Sequence, residues 1–327
     1  MKKIAKLSVV VLSTLILGGC MAEPKPEFTN KEDTKRIDKI KTEYSNVLER
    51  TNTMIQVFNS EPMNIYVDTI ENKTGARGKL PADITDIVKN SFNNIGDFVT
   101  LIYNDNSEGL KNAYTINGAI TQYDVISSKD KGVNAAGTGT VGKRHNRWDA
   151  DGSVDSEEQT IKLGIMFNPS DMHKGNYIAK TSTRNTITIE KKSSANEFAF
   201  SILGSGFGFN NAVTKSQGIH ASITVLVELS VAEVLGKLGK FPYWLLLNGG
   251  KPNRDIINYL SHSFLQEPLN RKIQLVSYLL ALHGKNVQIT RIMTDDLKRA
   301  IIEYKSEHGL PADDTLSKKF YISLLNP

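Results

Sequence analysis

Cys20 is the sole cysteine among 327 residues and so the only thiol nucleophile in the chain. It follows Leu17-Gly18-Gly19. Small residues before a cysteine let an extended chain enter a peptidase site, and the thiol then supplies the point of lipid attachment. The other reactive side chains do not assemble into a catalytic set. The six histidines are scattered, with no His-Glu-x-x-His helix or pair at metal spacing. No Gly-x-Ser-x-Gly elbow occurs. Asp149, Asp151 and Asp155 miss the calcium-loop pattern and its closing glutamate. Gly137-Thr-Gly139-Thr-Val-Gly142 has dinucleotide spacing, but that chemistry needs a helix opening on the last glycine. Lys143-Arg-His-Asn-Arg-Trp-Asp follows instead, which is not a helix start. The expectation is a non-enzyme, with no catalytic residue, metal or cofactor.

The elements around Cys20 set its role. Lys2, Lys3 and Lys6 precede an apolar stretch over 7–17. That is too short for the roughly 20 residues a spanning helix needs, and has the layout of a secretory signal over 1–19. Leu-Gly-Gly-Cys resembles the bacterial lipobox, which implies cleavage before Cys20 and acyl chains on it. Met21 stands where an Asp would resemble the inner-membrane retention signal, so the resemblance favours the outer membrane, with the bulk of the chain in the periplasm. Residues 20–30, with Pro24 and Pro26, read as a flexible tether. A lone cysteine allows no internal disulfide, so packed cores must stabilise about 300 mature residues, enough for two or so domains. Removing the signal takes three lysines and no acids, so the formal charge falls from +5 to +2. That balance gives no support for a nucleic-acid partner.

Apolar residues from Ile37 to Phe58 recur at steps of three and four, predicting an amphipathic helix within 31–60. Residues 63–70 alternate as a strand and break at Asn72-Lys-Thr-Gly75. A helix is expected over 83–94, strands over 98–103 and 113–123, then a polar, Gly-rich stretch over 124–159. Further strands are expected over 161–167 and 176–190, separated by Asn168-Pro169 and Gly175. A Gly/Phe tract covers 198–209. A long helix is expected over 218–247, its charges Glu228, Glu233, Lys237 and Lys240 arguing against a membrane span. Asn248-Gly-Gly-Lys-Pro252 reads as a domain boundary. The fold class is therefore α/β (α+β), a sheet covered by helices.

The lipobox, the string Asn64-Ile-Tyr-Val-Asp-Thr-Ile-Glu-Asn-Lys-Thr-Gly75 and two irregular Gly-rich insertions together resemble the CsgG family, the lipoproteins of curli secretion. Gly118, Ile120 and Tyr123 resemble that family's strand of type hydrophobic-x-Gly-x-Ile-x-x-Tyr, and Gly175-Asn-Tyr-Ile-Ala-Lys-Thr-Ser182 the strand after it. Residues 214–247 resemble its long helix. The resemblance implies a CsgG-like domain over 61–250 in a homo-oligomeric outer-membrane ring, each subunit lending two β-hairpins, at about 125–160 and 185–213, to one barrel. A membrane strand needs about 9–11 residues with alternate apolar side chains. Phe198, Phe200 and Ile202 alternate; the first segment departs from the pattern, because Arg144, Arg147 and five acids crowd one end.

Residues 253–327 form an all-α unit with helical spacing over 254–264, 271–283, 294–308 and 315–325. Thr294-Asp-Asp is a capping start, and Gly309 with Pro311 a stop. The string from Asp296 to Pro311 resembles the type 1 peptidoglycan-binding domain, with Tyr304-Lys305 where that family prefers Phe-Gln and Asp313-Asp-Thr-Leu316 at its turn. The usual Gly-x-x-Asp-Gly-x-x-Gly loop is missing. The resemblance implies peptidoglycan as a partner; docking on a secreted or machine-component protein is the alternative. Three roles stay open: a secretion channel or ring component, a non-pore collar of an envelope machine, and a monomeric wall-binding lipoprotein.

Overall fold

A computed structural model describes residues 46–58, 61–104, 108–128, 158–192, 198–204, 212–216, 219–246 and 250–327. The signal, Cys20, the tether, the start of the predicted first helix, the Gly-rich stretch over 129–157 and the end of the Gly/Phe tract lie outside them. The chain runs α1 (Val47–Val57), β1 (Met63–Asn72), α2 (Thr85–Asn93), β2 (Val99–Leu101), β3 (Ala113–Ser128), β4 (Glu158–Asp171), β5 (Asn176–Tyr177), β6 (Thr183–Lys192), β7 (Phe198–Gly204), β8 (Ala212–Ser216) and α3 (Ile219–Gly239). Four helices follow: α4 (Arg254–Gln266), α5 (Leu269–Leu282), α6 (Asp295–Glu307) and α7 (Lys318–Leu324).

The strands form one mixed sheet in the order β2-β1-β3-β4-β6-β7-β8, with β5 paired to β4. Parallel pairing joins β1 to β2 and β3; the pairs from β3 to β8 are antiparallel. Strand side chains alternate between faces. One face buries Ile65, Ile116, Ile120, Leu163, Ile165, Phe167, Ile187 and Ile189. α2 and α3 pack against this sheet, and α1 packs on α3. The opposite parity carries half-buried Tyr66, Asn117 and Met166 and exposed Arg184. At Gly118 there is no room for a side chain between β3 and β4: a Cβ there would lie 2.4 Å from the Met166 carbonyl oxygen and 2.6 Å from the Phe167 ring.

β3 runs past the expected end at Tyr123 to Ser128, and three further boundaries differ from the sequence reading. Asn168-Pro169 does not end β4, which runs on to Asp171. Pairing with β6 has already stopped at Phe167↔Thr183, so Pro169 lies beyond the β6 ladder, and its carbonyl accepts from Ile178 N–H at 3.0 Å. The strand predicted over 176–190 is two strands, broken by a turn with Lys180 at φ 64°. The long helix ends at Gly239 rather than near 247. Phe241 N–H reaches back to the Gly236 carbonyl at 3.1 Å with Lys240 at φ 53°, the closing geometry that normally employs glycine. Pro242 then starts a separate 3-10 turn, Tyr243–Leu246. α3 is long and apolar enough to cross a membrane by length and composition, yet most of it is buried in the core.

The C-terminal helices show the expected cap at Thr294 and stop at Gly309, and two further caps, Asn253 and Ser317, that the sequence reading did not mark. Asn253 accepts from the N–H groups of Asp255 and Ile256, Thr294 from Leu297 and Ser317 from Phe320. Gly309, at φ 64°, stops α6, and Leu310 N–H closes on the Lys305 carbonyl at 2.8 Å. One apolar cluster runs without a break from Val47 to Leu325, so the helical unit shares its core with the sheet unit.

Candidate functional site

None of the described residues makes a metal cluster of three or more His, Cys, Asp or Glu. The one residue assigned a chemical role from sequence, Cys20, lies outside the described chain. The antiparallel arms of both expected hairpins are described. β3 and β4 pair out to Ser128↔Glu158, and β6 and β7 out to Lys191↔Phe198. The outer end of β3 is apolar on both faces: neighbouring Val125 and Ile126 are 42% and 51% exposed.

A groove that sequence reasoning missed lies where the helical unit meets the sheet. Its two lobes, about 290 and 370 Å³, share Tyr114, Leu238, Lys240 and Tyr259. The start of β3 and the end of α3 line both lobes. The smaller lobe continues to Glu61, Ser263, Glu267, Arg271 and Tyr321, the larger to Ile178, Lys180, Thr181, Asn253, Asp255 and Ile256. Local geometry fixes the polar groups. Asn112, at φ 49°, donates from its amide to Glu61 at 2.7 Å. Lys180 Nζ meets Asp255 at 2.8 Å, and Lys240 Nζ sits 4.5 Å above the centre of the half-exposed Tyr259 ring. Burial, with Asp171 and Glu61 nearby, raises the Tyr114 pKa, so its phenol stays protonated as a donor. A signal for this groove was present in the charges at the end of α3, but nothing in a linear sequence places them opposite Asp255 and Tyr259.

Beneath the larger lobe a polar seam joins α3 to β6. Glu233 is fully buried, with Oε1 2.7 Å from Lys237 Nζ and Oε2 accepting from the Asn185 amide at 2.8 Å. Asn185 also donates to Ser230 Oγ at 3.0 Å, and Lys237 to the Ser182 carbonyl at 2.6 Å. Two of the charges that interrupt the α3 apolar pattern are thus an i,i+4 pair turned inward. Glu228 is different: desolvation pushes its carboxyl up to about 7. Because the folded value exceeds the unfolded one, its ionisation costs stability as pH rises from about 4.5 to 7. Glu228→Gln is therefore expected to leave stability unchanged at pH 4 and raise it by about 2 kcal/mol above pH 7, allowing for partial exposure. Urea unfolding at both pH values checks this, and an equal gain at pH 4 would refute the linkage.

The expected glycan-binding segment has a buried tie. Lys305 is 2% exposed. Its ammonium donates to Asp313, the Thr315 carbonyl at 2.7 Å and the Thr315 hydroxyl at 3.3 Å, and lies 4.9 Å from the Phe320 ring centre. Asp313 also accepts from the Thr315 amide and hydroxyl, and with Lys305 these hold its carboxyl down at about 2. Lys305 falls in the α6 stripe of Leu297, Ala300, Ile301 and Tyr304, all buried, so the spacing itself marked it as internal.

Fold and groove together define a mixed α/β protein whose helix-covered sheet carries a docked four-helix unit. No family model matches the chain, and no curated protein is significantly similar to it.

Proposed function

We propose that this protein is a non-catalytic, acyl-anchored subunit of an outer-membrane ring of CsgG type, held at Cys20 and attached to the cell wall through its helical unit. The observation that carries the reading is the run of antiparallel strands ending together. Ser128, Glu158, Lys192, Phe198 and Ser216 occupy paired positions at one end of the sheet, so both hairpin arms extend in the same direction. The exposed apolar pair Val125 and Ile126 lies near that end, where an assembly or a membrane would cover it. Acyl chains supply attachment without a spanning segment. A collar without a pore is the second reading. It is favoured by Arg144, Arg147 and the acids between the arms of the first hairpin, which are costly on a lipid face.

The mature protein purified in detergent is expected to form closed rings by negative stain. Rings that conduct ions in planar bilayers support the channel, and rings without conductance the collar; a monodisperse monomer refutes both. Cys20→Ser is expected to move the protein from the membrane to the soluble periplasmic fraction. Retention in the membrane would mean that the hairpins, and not the acyl chains, provide attachment. Pull-down on purified sacculi, with and without 253–327, tests the wall contact.

A further inference from the structure

Three non-glycine residues among those described sit on left-handed backbone: Asn112, Lys180 and Lys240. All three line the groove between the sheet and the helical unit. Asparagine tolerates this region, but lysine is strained there, and glycine would hold the same backbone without the steric cost. What Lys180 and Lys240 add at these two positions is a cation. Strain of this kind concentrates where a side chain is held for a ligand.

Both lysines face the larger lobe, and Lys237 reaches it from below. Two carboxylates pair with these ammonium groups, while Asp171 and Glu61 lie toward the Tyr114 side. Asp255 stands at the rim with Lys180, and Glu233 is buried against Lys237. Among the described residues Lys240, set over the Tyr259 ring face, is the lysine of this lobe that no carboxylate pairs. Apart from Thr181 and Asn253 its walls are apolar, from Ile178, Leu238 and Ile256 with the Tyr114 and Tyr259 rings. A concave, mostly apolar cavity of about 370 Å³ with a few convergent charges has the build of a small-ligand site.

We infer that this lobe binds a carboxylate that carries an apolar body. The carboxylate lies between Lys180 and Lys240, with the phenol of Tyr114 as a further donor, and the body packs on Ile178, Leu238, Ile256 and Tyr259. Inorganic phosphate fits less well, because nothing in it fills the apolar walls and the lobe offers point charges rather than the planar arginine fork suited to phosphate. The carboxylate can belong to a free organic acid or to the C-terminus of a polypeptide, whose preceding residue would enter the smaller lobe past Tyr114 and Leu238. The inference stands independently of the ring reading, since it uses only the groove.

The test titrates four probes into the full mature chain in detergent by calorimetry: 4-phenylbutyrate, N-acetyl-Ala-Ala-Phe with a free carboxylate, the same tripeptide as its C-terminal amide, and inorganic phosphate. Phenylbutyrate is expected to bind saturably, and at least tenfold more weakly to Lys180→Gly/Lys240→Gly. Because both positions have positive φ, the glycines relieve strain, and the thermal midpoint of the variant should not fall. If it does fall, Lys180→Gly alone, which removes only an exposed ion pair, gives the same comparison. A tripeptide acid at least tenfold tighter than phenylbutyrate assigns the site to a polypeptide terminus; otherwise the ligand is a free acid. The inference is overturned by no saturable binding of either acid, by equal binding of the amide, by tighter binding of phosphate, or by an affinity the variant leaves unchanged.

Discussion

Trp244→Ala is expected to destabilise the whole chain by about 3–5 kcal/mol, the range for removing a large buried aromatic. Trp244 is fully buried in the 3-10 turn after α3, edge-on to Tyr243 with ring centres 5.3 Å apart. Its indole N–H donates to the Leu325 carbonyl at 2.7 Å, at the far end of the chain. The turn is itself confined, because a Cβ on Gly250 would come within 2.0 Å of the Trp244 carbonyl oxygen. Loss of the indole therefore opens a cavity and takes the donor from a carbonyl at the end of α7. Against a typical total of about 5–15 kcal/mol, that is a large fraction. Arg50 donating to the Leu246 carbonyl ties α1 to this turn, and Arg271 donating to the Val57 carbonyl ties α5 to α1. With one continuous core, guanidinium unfolding should show a single transition that shifts as a unit in the variant. Two transitions in the wild type, with only one moved by Trp244→Ala, would show the helical unit folding by itself. Trp244→Phe, which keeps most of the apolar volume, should recover the larger part of the loss.

Local signals explain which elements were legible in the sequence. β1 and α2 were readable because their periods are clear: Ile65 and Val67 alternate, and Val88 and Phe92 share one helical face. Thr294 and Gly309 announced the two ends of α6 through side-chain and backbone chemistry that acts within four residues, whereas α7 was expected from 315 and begins at Lys318, after its Ser317 cap. Misreadings fell where two signals competed. Beyond Gly239 the apolar run Phe241-Pro-Tyr-Trp-Leu-Leu prolonged the helical pattern, while Pro242 and the left-handed Lys240 closed it. At Pro169 the proline suggested a break, but past Phe167 only two-residue β5 pairs with that side of β4. Of the groove only the charges at the end of α3 were legible. Its walls come from residues between Phe58 and Tyr321, and only tertiary packing brings Lys240 over Tyr259.

Lys237→Met should be about as costly as the tryptophan change, and for a different reason. Lys237 is 14% exposed and pairs with Glu233, which has no exposure. The methionine fills similar volume but leaves the Glu233 carboxylate with the Asn185 amide as its remaining donor among the described residues, and the Ser182 carbonyl without its lysine. Breaking a buried pair from one side costs about 3–5 kcal/mol, because an uncompensated charge stays in a poorly polarisable interior. Neutralising both partners avoids that penalty. In Glu233→Gln/Lys237→Met the glutamine oxygen still accepts from Asn185, and no charge is left inside, so stability should return to within about 1–2 kcal/mol of wild type. The double-mutant cycle should then show strong coupling, whereas additive single changes would mean that the pair contributes nothing beyond packing.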